Sequence, residues 1–367
     1  MSGHGRVGVG VVGAGNISTQ YLTNLTSFPD LDVRFVADVD VERARTQARA
    51  FEVPGCGSLA DLLADDGVEL VVNLTPPASH AEVVLAALDA GRHAWTEKPL
   101  AITREDGAAV LERARASRLL VGCAPDTFLG PAIQAARRLV EGGAIGVPLG
   151  ALSVFQNHGP ERWHPNPAFL FALGAGPVFD LGPYYLTALV QLLGPVARVT
   201  ANAGKSQEER RVHQGPLAGT RFPVQTPTHV QALLEFARGT SAVAIFSFDS
   251  GLERMQLEIT GGEGVLEVPD PNQFVGDLRI HRPDGTVDVV EVAATHPTRG
   301  IGVLDLARAI RDGRAPRASG ELGFHVLDVM ASILDAADRG TSVAITSTVE
   351  LAPPLDPGWD PRQPTLD

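Results

Sequence analysis

The sequence predicts an α/β domain followed by an α+β domain: a doubly wound parallel sheet, then an open and mostly antiparallel one. Two observations carry this. From Arg6 to Cys123 short apolar runs alternate with helical patterns, which is the grammar of strand–helix–strand units. After Cys123 the grammar changes, and strands follow one another through tight turns such as Arg238-Gly239-Thr240, Gly261-Gly262-Glu263 and Pro283-Asp284-Gly285. A length of 367 residues suits two domains, each burying its own core. We expect boundaries at 1–125, 126–352 and a proline-rich arm over 353–367.

Arg6–Val12 reads as a strand buried on both faces. Gly13-Ala14-Gly15-Asn16-Ile17-Ser18 follows, and then a helical pattern with Tyr21, Leu22 and Leu25. A strand, G-x-G-x-x-S and a helix form the dinucleotide-binding, or Rossmann, context. The glycines permit a tight turn, and a diphosphate sits against the helix N-terminus. Leu31–Ala37 is the second strand and ends at Asp38, where a carboxylate reaches the ribose hydroxyls. A second acid, Asp40, stands close by, so NAD is expected over NADP; Arg43 and Arg45 are the cations able to oppose that preference.

Helices are expected at 41–50, 59–64, 80–90 (capped by Ser79) and 103–116, with strands at 69–74, 93–95 and 119–123. Ligands bind beyond the carboxyl ends of such strands, which aligns Gly13, Asp38, Thr75 and Lys98 along one edge. In the second half, a helix at 131–141 and a strand at 149–156 precede a loop carrying His158, Trp163 and His164. Residues 204–227, polar and proline-rich, read as a long loop, and helices at 301–312 and 321–339 close the domain.

Between these lies the stretch 174–189, a glycine-rich loop read as entering a helix at Pro183, since proline suits a first turn. Asp180 and Tyr184 are four apart and share a face. A phenol titrates near 10 and is a weak base near neutrality, but a neighbouring cation such as Lys98 favours the phenolate. Asp180 orients the substrate hydroxyl or Lys98, or else caps the helix. His158 and His164 either bond substrate hydroxyls or are ordinary loop histidines, and Asp126 is a candidate lining residue.

The net charge of −13 argues against nucleic-acid and anionic-membrane partners. Two cysteines, Cys56 and Cys123, show neither metal nor disulfide spacing, so no metal is expected and a reducing compartment fits. No apolar run reaches membrane-span length, and the N-terminus enters a strand pattern with no leader, so a cytoplasmic location is expected.

Four stretches in order resemble the glucose-fructose oxidoreductase and inositol dehydrogenase family, also called Gfo/Idh/MocA. They are Val-Gly-Ala-Gly-Asn-Ile at 12–17, Asn-Leu-Thr-Pro-Pro-Ala-Ser-His at 73–80, Glu-Lys-Pro-Leu-Ala at 97–101 and Gly-Pro-Val-Phe-Asp-Leu-Gly-Pro-Tyr at 176–184. The resemblance, running from about Val7 to Ile345, implies that Lys98 and Asp180 border the nicotinamide and that Lys98–Pro99 is a cis peptide. On these motifs the cofactor-binding candidates are Gly13, Gly15, Asn16, Ile17, Asp38, Thr75, Pro76, His80, Glu97 and Lys98, with His80 also read as the anchor of a helix start. Inositol-dehydrogenase-like members carry His at the position of Tyr184; this chain is similar to the members that use Tyr. Lys98, Tyr184 and Asp180 are therefore the catalytic candidates.

The implied activity is NAD(P)-dependent hydride transfer to or from a secondary alcohol of a sugar, polyol or related cyclic compound. The implied assembly is a homodimer or homotetramer through the C-terminal sheet. Two other readings stand beside it: a redox-neutral lyase or glycosidase that retains NAD, and a sensor that kept the cofactor site.

Overall fold

The structure is a computed structural model and describes residues 5–292 and 298–366. The chain forms two compact units: residues 1–129, 294–327 and 351–367 make the first, and residues 130–293 and 328–350 the second. The contiguous second domain expected over 126–352 is thus interrupted, because 294–327 returns to the first unit.

The first unit holds a parallel sheet of β1 (Val7–Val12), β2 (Leu31–Ala37), β3 (Gly55–Gly57), β4 (Leu70–Asn73), β5 (His93–Thr96) and β6 (Val121–Cys123), in the order β3-β2-β1-β4-β5-β6. Every residue of β1 is buried, as its unbroken apolar run requires. The order reverses between β1 and β4, the switch point at which open α/β sheets bind ligands. Helices α1 (Asn16–Leu25), α2 (Val41–Ala50), α3 (Leu59–Leu63), α4 (His80–Asp89) and α5 (Arg104–Ser117) connect the strands. Asp40 caps α2, Ser58 forms a capping box on α3, and Thr103 caps α5, each accepting the backbone N–H three residues on. Ser79 does not cap α4 with its side chain; a 3₁₀ turn over Pro77–Ser79 leads in instead. The edge strand β3 escapes the sequence reading because Gly-Cys-Gly has neither alternation nor an apolar run.

The second unit opens with α6 (Pro131–Glu141), β7 (Pro148–Gln156) and α7 (Gly176–Leu193). Then come β8 (Val196–Gly204), β9 (Glu209–Arg211), β10 (Arg221–Pro223), β11 (His229–Phe236), β12 (Ser241–Ser247), β13 (Arg254–Gly261), β14 (Gly264–Val268), β15 (Leu278–His281) and β16 (Val287–Val290). The chain continues through α8 (Ile301–Asp312), which belongs to the first unit, to α9 (Gly320–Arg339) and β17 (Val343–Ala344). The large sheet runs β16-β15-β14-β13-β7-β12-β11-β8-β17 and is antiparallel except for β7 with β12. Along β11, Val230, Ala232, Leu234 and Phe236 are buried and the residues between face outward, so one face is covered. Helix α7 packs on that face against β7, β11 and β12. Residues 204–227 are not only loop: β9 and β10 pair there as a small antiparallel ladder.

Helix α7 corrects the expected boundary. It begins at Gly176 with Pro177 in its first turn, and Pro183 lies in its interior. The missing N–H leaves the Phe179 carbonyl without its helical donor. Burial outweighs that loss, since seventeen of the eighteen residues of α7 are buried and Asp180 alone is half-buried. Among the described residues no helix is long and apolar enough to cross a membrane.

Candidate active site

In the first unit the candidates gather at the carboxyl ends of the strands. Gly13 has φ +99°, and a Cβ there would lie 2.7 Å from the Leu74 carbonyl carbon, so only glycine fits. Around Gly15 a Cβ would meet nothing within 4 Å, and the N-terminus of α1 behind it has no side-chain cap. Open space before uncapped amides suits the diphosphate of a dinucleotide. Asn16 is exposed and Ile17 half-buried at the start of the same helix. Asp38 ties the turn to β2: Ala14 N–H donates to Oδ2 at 2.7 Å and Asp40 N–H to Oδ1 at 2.8 Å. Arg43 stands 3.4 Å from Oδ1. A carboxylate has about four acceptor positions, so Asp38 retains capacity for ribose hydroxyls.

The segment bearing Lys98 is pinned from several sides. Glu97 N–H bonds the Asn73 carbonyl at 2.9 Å. The Glu97 carboxylate accepts Tyr21 O–H at 2.7 Å and Lys98 N–H at 3.0 Å, and Trp95 Nε1 donates to the Tyr21 oxygen at 3.4 Å. Burial, then the negative charges of Glu97 and Asp126, push the Tyr21 phenol well above its ordinary range, so it stays a donor. The Lys98–Pro99 peptide is cis, and Lys98 is half-buried. Asn73 Oδ1 accepts from Thr75 N–H and Oγ1, holding Thr75 half-buried at the edge with Pro76 exposed beside it.

Two expected ligand-binding residues take other roles. His80 is 1% exposed, with Nδ1 2.6 Å from the Pro99 carbonyl and Nε2 2.8 Å from that of Thr75. It braces the Lys98 segment against the Thr75 turn that follows β4, and both its ring nitrogens are taken up by those carbonyls. Burial lowers its pKa although both carbonyls favour the cation. Asp126 is wholly buried; its Oδ2 accepts the N–H groups of Gly300 (2.7 Å) and Gly302 (3.2 Å) at the start of α8. It caps a helix and is not a substrate contact. The sequence already offers His80 as a helix-start anchor; the displacement of Asp126 is not visible there, because burial of a polar residue depends on segments far along the chain. Tyr21 was missed for the converse reason: an aromatic on the apolar stripe of α1 reads as core.

In the second unit, Asp180 and Tyr184 lie one turn apart on α7, Asp180 partly open and Tyr184 7% exposed. The loop between β7 and α7 carries His158 and His164, both half-buried. His164 Nδ1 accepts Asn166 N–H at 3.0 Å. Under the loop lies a network absent from the sequence reading. Buried Arg210 bonds Glu161 (2.6 Å), the Phe248 carbonyl (3.2 Å) and Asp249, and its guanidinium sits 5.1 Å from the Phe171 ring centroid.

Two family models match the chain. One, described as an oxidoreductase family with an NAD-binding Rossmann fold, covers residues 7–124, and the Gfo/Idh/MocA C-terminal domain covers 133–267. The chain is 26% identical to D-xylose 1-dehydrogenase (NADP(+)) 2 of Haloferax volcanii, over 92% of this chain and 99% of that protein. It is 29% identical to dTDP-3,4-didehydro-2,6-dideoxy-alpha-D-glucose 3-reductase of Streptomyces violaceoruber, over 85% and 87%. Its fold matches an NAD-binding oxidoreductase from Klebsiella pneumoniae with TM-score 0.83 at 22% identity, over 93% and 100% of the two chains.

Proposed function

The chain belongs to the Gfo/Idh/MocA family of oxidoreductases, and from that premise we propose how its residues carry out the chemistry. It is an NAD(P)-dependent dehydrogenase acting on a secondary hydroxyl of a sugar, polyol or related cyclic compound. The nicotinamide cofactor, when bound, supplies the hydride acceptor or donor. We assign the diphosphate to the Gly13–Ala14–Gly15 turn and the N-terminus of α1, and the adenosine ribose to Asp38. Tyr184 removes the proton of the reacting hydroxyl as the carbonyl forms, and returns it in the reverse direction. Lys98 favours the phenolate, and Asp180 orients the reacting hydroxyl.

The observation that carries this reading is the glycine turn. It tolerates no Cβ at Gly13, opens before an uncapped helix N-terminus, and is fastened to the Asp38 carboxylate. The same carboxylate supports NAD over NADP, because a ribose 2′-phosphate would meet its charge in a partly desolvated place. Arg43, 3.4 Å from Asp38, offsets part of that repulsion. We also propose self-association through the outer face of the large sheet, where the paired Leu233 and Val243 are exposed.

A panel of sugars and polyols with NAD and NADP, followed by absorbance of the reduced cofactor, tests the reading. Reduced cofactor should accumulate with at least one cyclic polyol or sugar, faster with NAD. Turnover without release of reduced cofactor would favour the redox-neutral alternative. Equal or tighter binding of NADP to the purified protein would reject the cofactor assignment.

A further inference from the structure

On the loop between β7 and α7 three aromatic rings stand in a row. The Trp163 and His164 centroids are 5.5 Å apart at 68°, and those of His164 and Phe169 are 5.4 Å apart at 70°. Trp163 is 59% exposed and Phe169 53%. Large rings left open to water forgo the gain of burial, and clustering them enlarges the apolar patch.

The loop is held firmly from beneath. Arg210 fastens it through Glu161, and Asp249 in turn accepts Thr228 Oγ1 at 2.5 Å and Ser206 Oγ at 2.8 Å. Gln214 Nε2 bonds the Trp163 carbonyl at 2.6 Å, and Gly215 approaches Pro165 so closely that a Cβ would lie 2.8 Å from its side chain. The rings are therefore ordered before any ligand arrives, which lowers the entropy cost of binding.

Their chemistry is mixed. His164 Nδ1 is used by Asn166, while Nε2 has no hydrogen-bond partner among the described residues. An apolar partner would leave that nitrogen unpaired on burial. A molecule with a flat C–H face and a hydroxyl rim satisfies both rings and nitrogen. An open-chain polyol has the hydroxyls but no persistent flat face. We propose that Trp163, His164 and Phe169 form a stacking platform for the ring of the substrate, selecting cyclic carbohydrates and cyclitols over open-chain polyols. This rests on the dehydrogenase reading above, and on the loop's running directly into α7, the helix of Asp180 and Tyr184.

The test compares wild type, Trp163→Ala, Phe169→Ala and Trp163→Phe on myo-inositol and methyl α-D-glucopyranoside against sorbitol, at saturating NAD. Trp163→Ala should raise KM for the cyclic compounds about tenfold or more, and lower the ratio of cyclic to open-chain kcat/KM by a similar factor. The Kd of NAD should stay in place, and Trp163→Phe should restore much of the ratio. An unchanged ratio in both folded alanine variants overturns the platform, as does wild-type turnover confined to open-chain polyols; either leaves the dehydrogenase reading intact. A change in molecular mass by light scattering in place of a change in KM would mark the rings as a contact between copies, and also overturns it. If wild type turns over none of these three compounds, the dehydrogenase reading is left to the wider panel, and tryptophan fluorescence decides the platform. Saturable quenching by myo-inositol, absent in Trp163→Phe, supports it; no quenching overturns it. Trp95, fully buried, and Trp359, half-buried beside Arg308, contribute a background that Trp163→Phe retains.

Discussion

Tyr184 carries the proton in the proposed reaction, and its hydroxyl is the smallest group whose removal tests that role. Tyr184→Phe keeps the ring that α7 buries and deletes only the oxygen. kcat should fall by roughly 10²–10⁴ with cofactor affinity nearly unchanged; activity within a few-fold of wild type would move the role to another residue. Tyr21 acts one step further back. In Tyr21→Phe, Glu97 loses its 2.7 Å donor while only 9% exposed. The unmet acceptor should cost about 1–3 kcal/mol of stability. Because Glu97 also receives Lys98 N–H, kcat should fall together with that loss. A variant with lower melting temperature but unaltered kcat would make Tyr21 structural only. At this scale the sequence is readable where the backbone dictates residue type. Gly13 is legible because no Cβ fits, and Asp38 because a strand end fixes its place. His80 is legible as a helix-start anchor but not as a brace of the Lys98 segment, and Asp126 is not legible, since a motif names a residue without saying whether it faces ligand or core.

At the scale of elements, periodicity located every helix of the parallel domain, and failure came where tertiary packing overrode local preference. Pro183 reads as a helix start, yet α7 runs through it because its flanks are buried throughout. Strands β3, β9, β10 and β17 have three residues or fewer, too short to carry a period. The start of α8 offers a test of what capping by a buried acid costs. Burial pushes the Asp126 carboxyl up to about 6, against the pull of Arg299 and the amides of Gly302 and Gly300 and with the push of Glu97. A raised folded-state pKa gives stability that is full below the ordinary carboxylate value and is lost as pH rises through about 6. Relative to Asp126→Asn, wild type should therefore lose about 2 kcal/mol between pH ~4.5 and pH ~7.5 in urea unfolding. A difference independent of pH would mean that the buried charge is fully compensated.

At the scale of the whole chain, the first unit is assembled from three separated stretches, and the last of them is the proline-rich tail. Composition correctly marks that tail as irregular, but not that it is anchored. Asp30, wholly buried just before β2, accepts Arg308 Nε at 2.8 Å, Thr365 N–H at 2.9 Å, Thr365 Oγ1 at 2.8 Å and Leu366 N–H at 3.0 Å. Arg308 also donates to the Gln363 carbonyl at 2.8 Å and lies 5.3 Å from the centroid of the Trp359 ring. Removing residues 358–367 would delete three of the four donors to Asp30 and uncover a buried ion pair. Water entering the gap recovers part of the loss, so we expect a net cost of roughly 2–4 kcal/mol, read as a melting temperature lowered by about 5 °C or more. The cofactor end of the same strand should not feel it. Asp38 lies at the opposite end of β2, about 25 Å away at strand rise, and its bonds to Ala14 and Asp40 involve no tail residue. The Kd of NAD, titrated well below the melting transition, should thus match that of the full chain. An unchanged melting temperature would show that the tail's bonds are replaced by water without cost, and weakened NAD binding would show that the tail shapes the nucleotide site through β2.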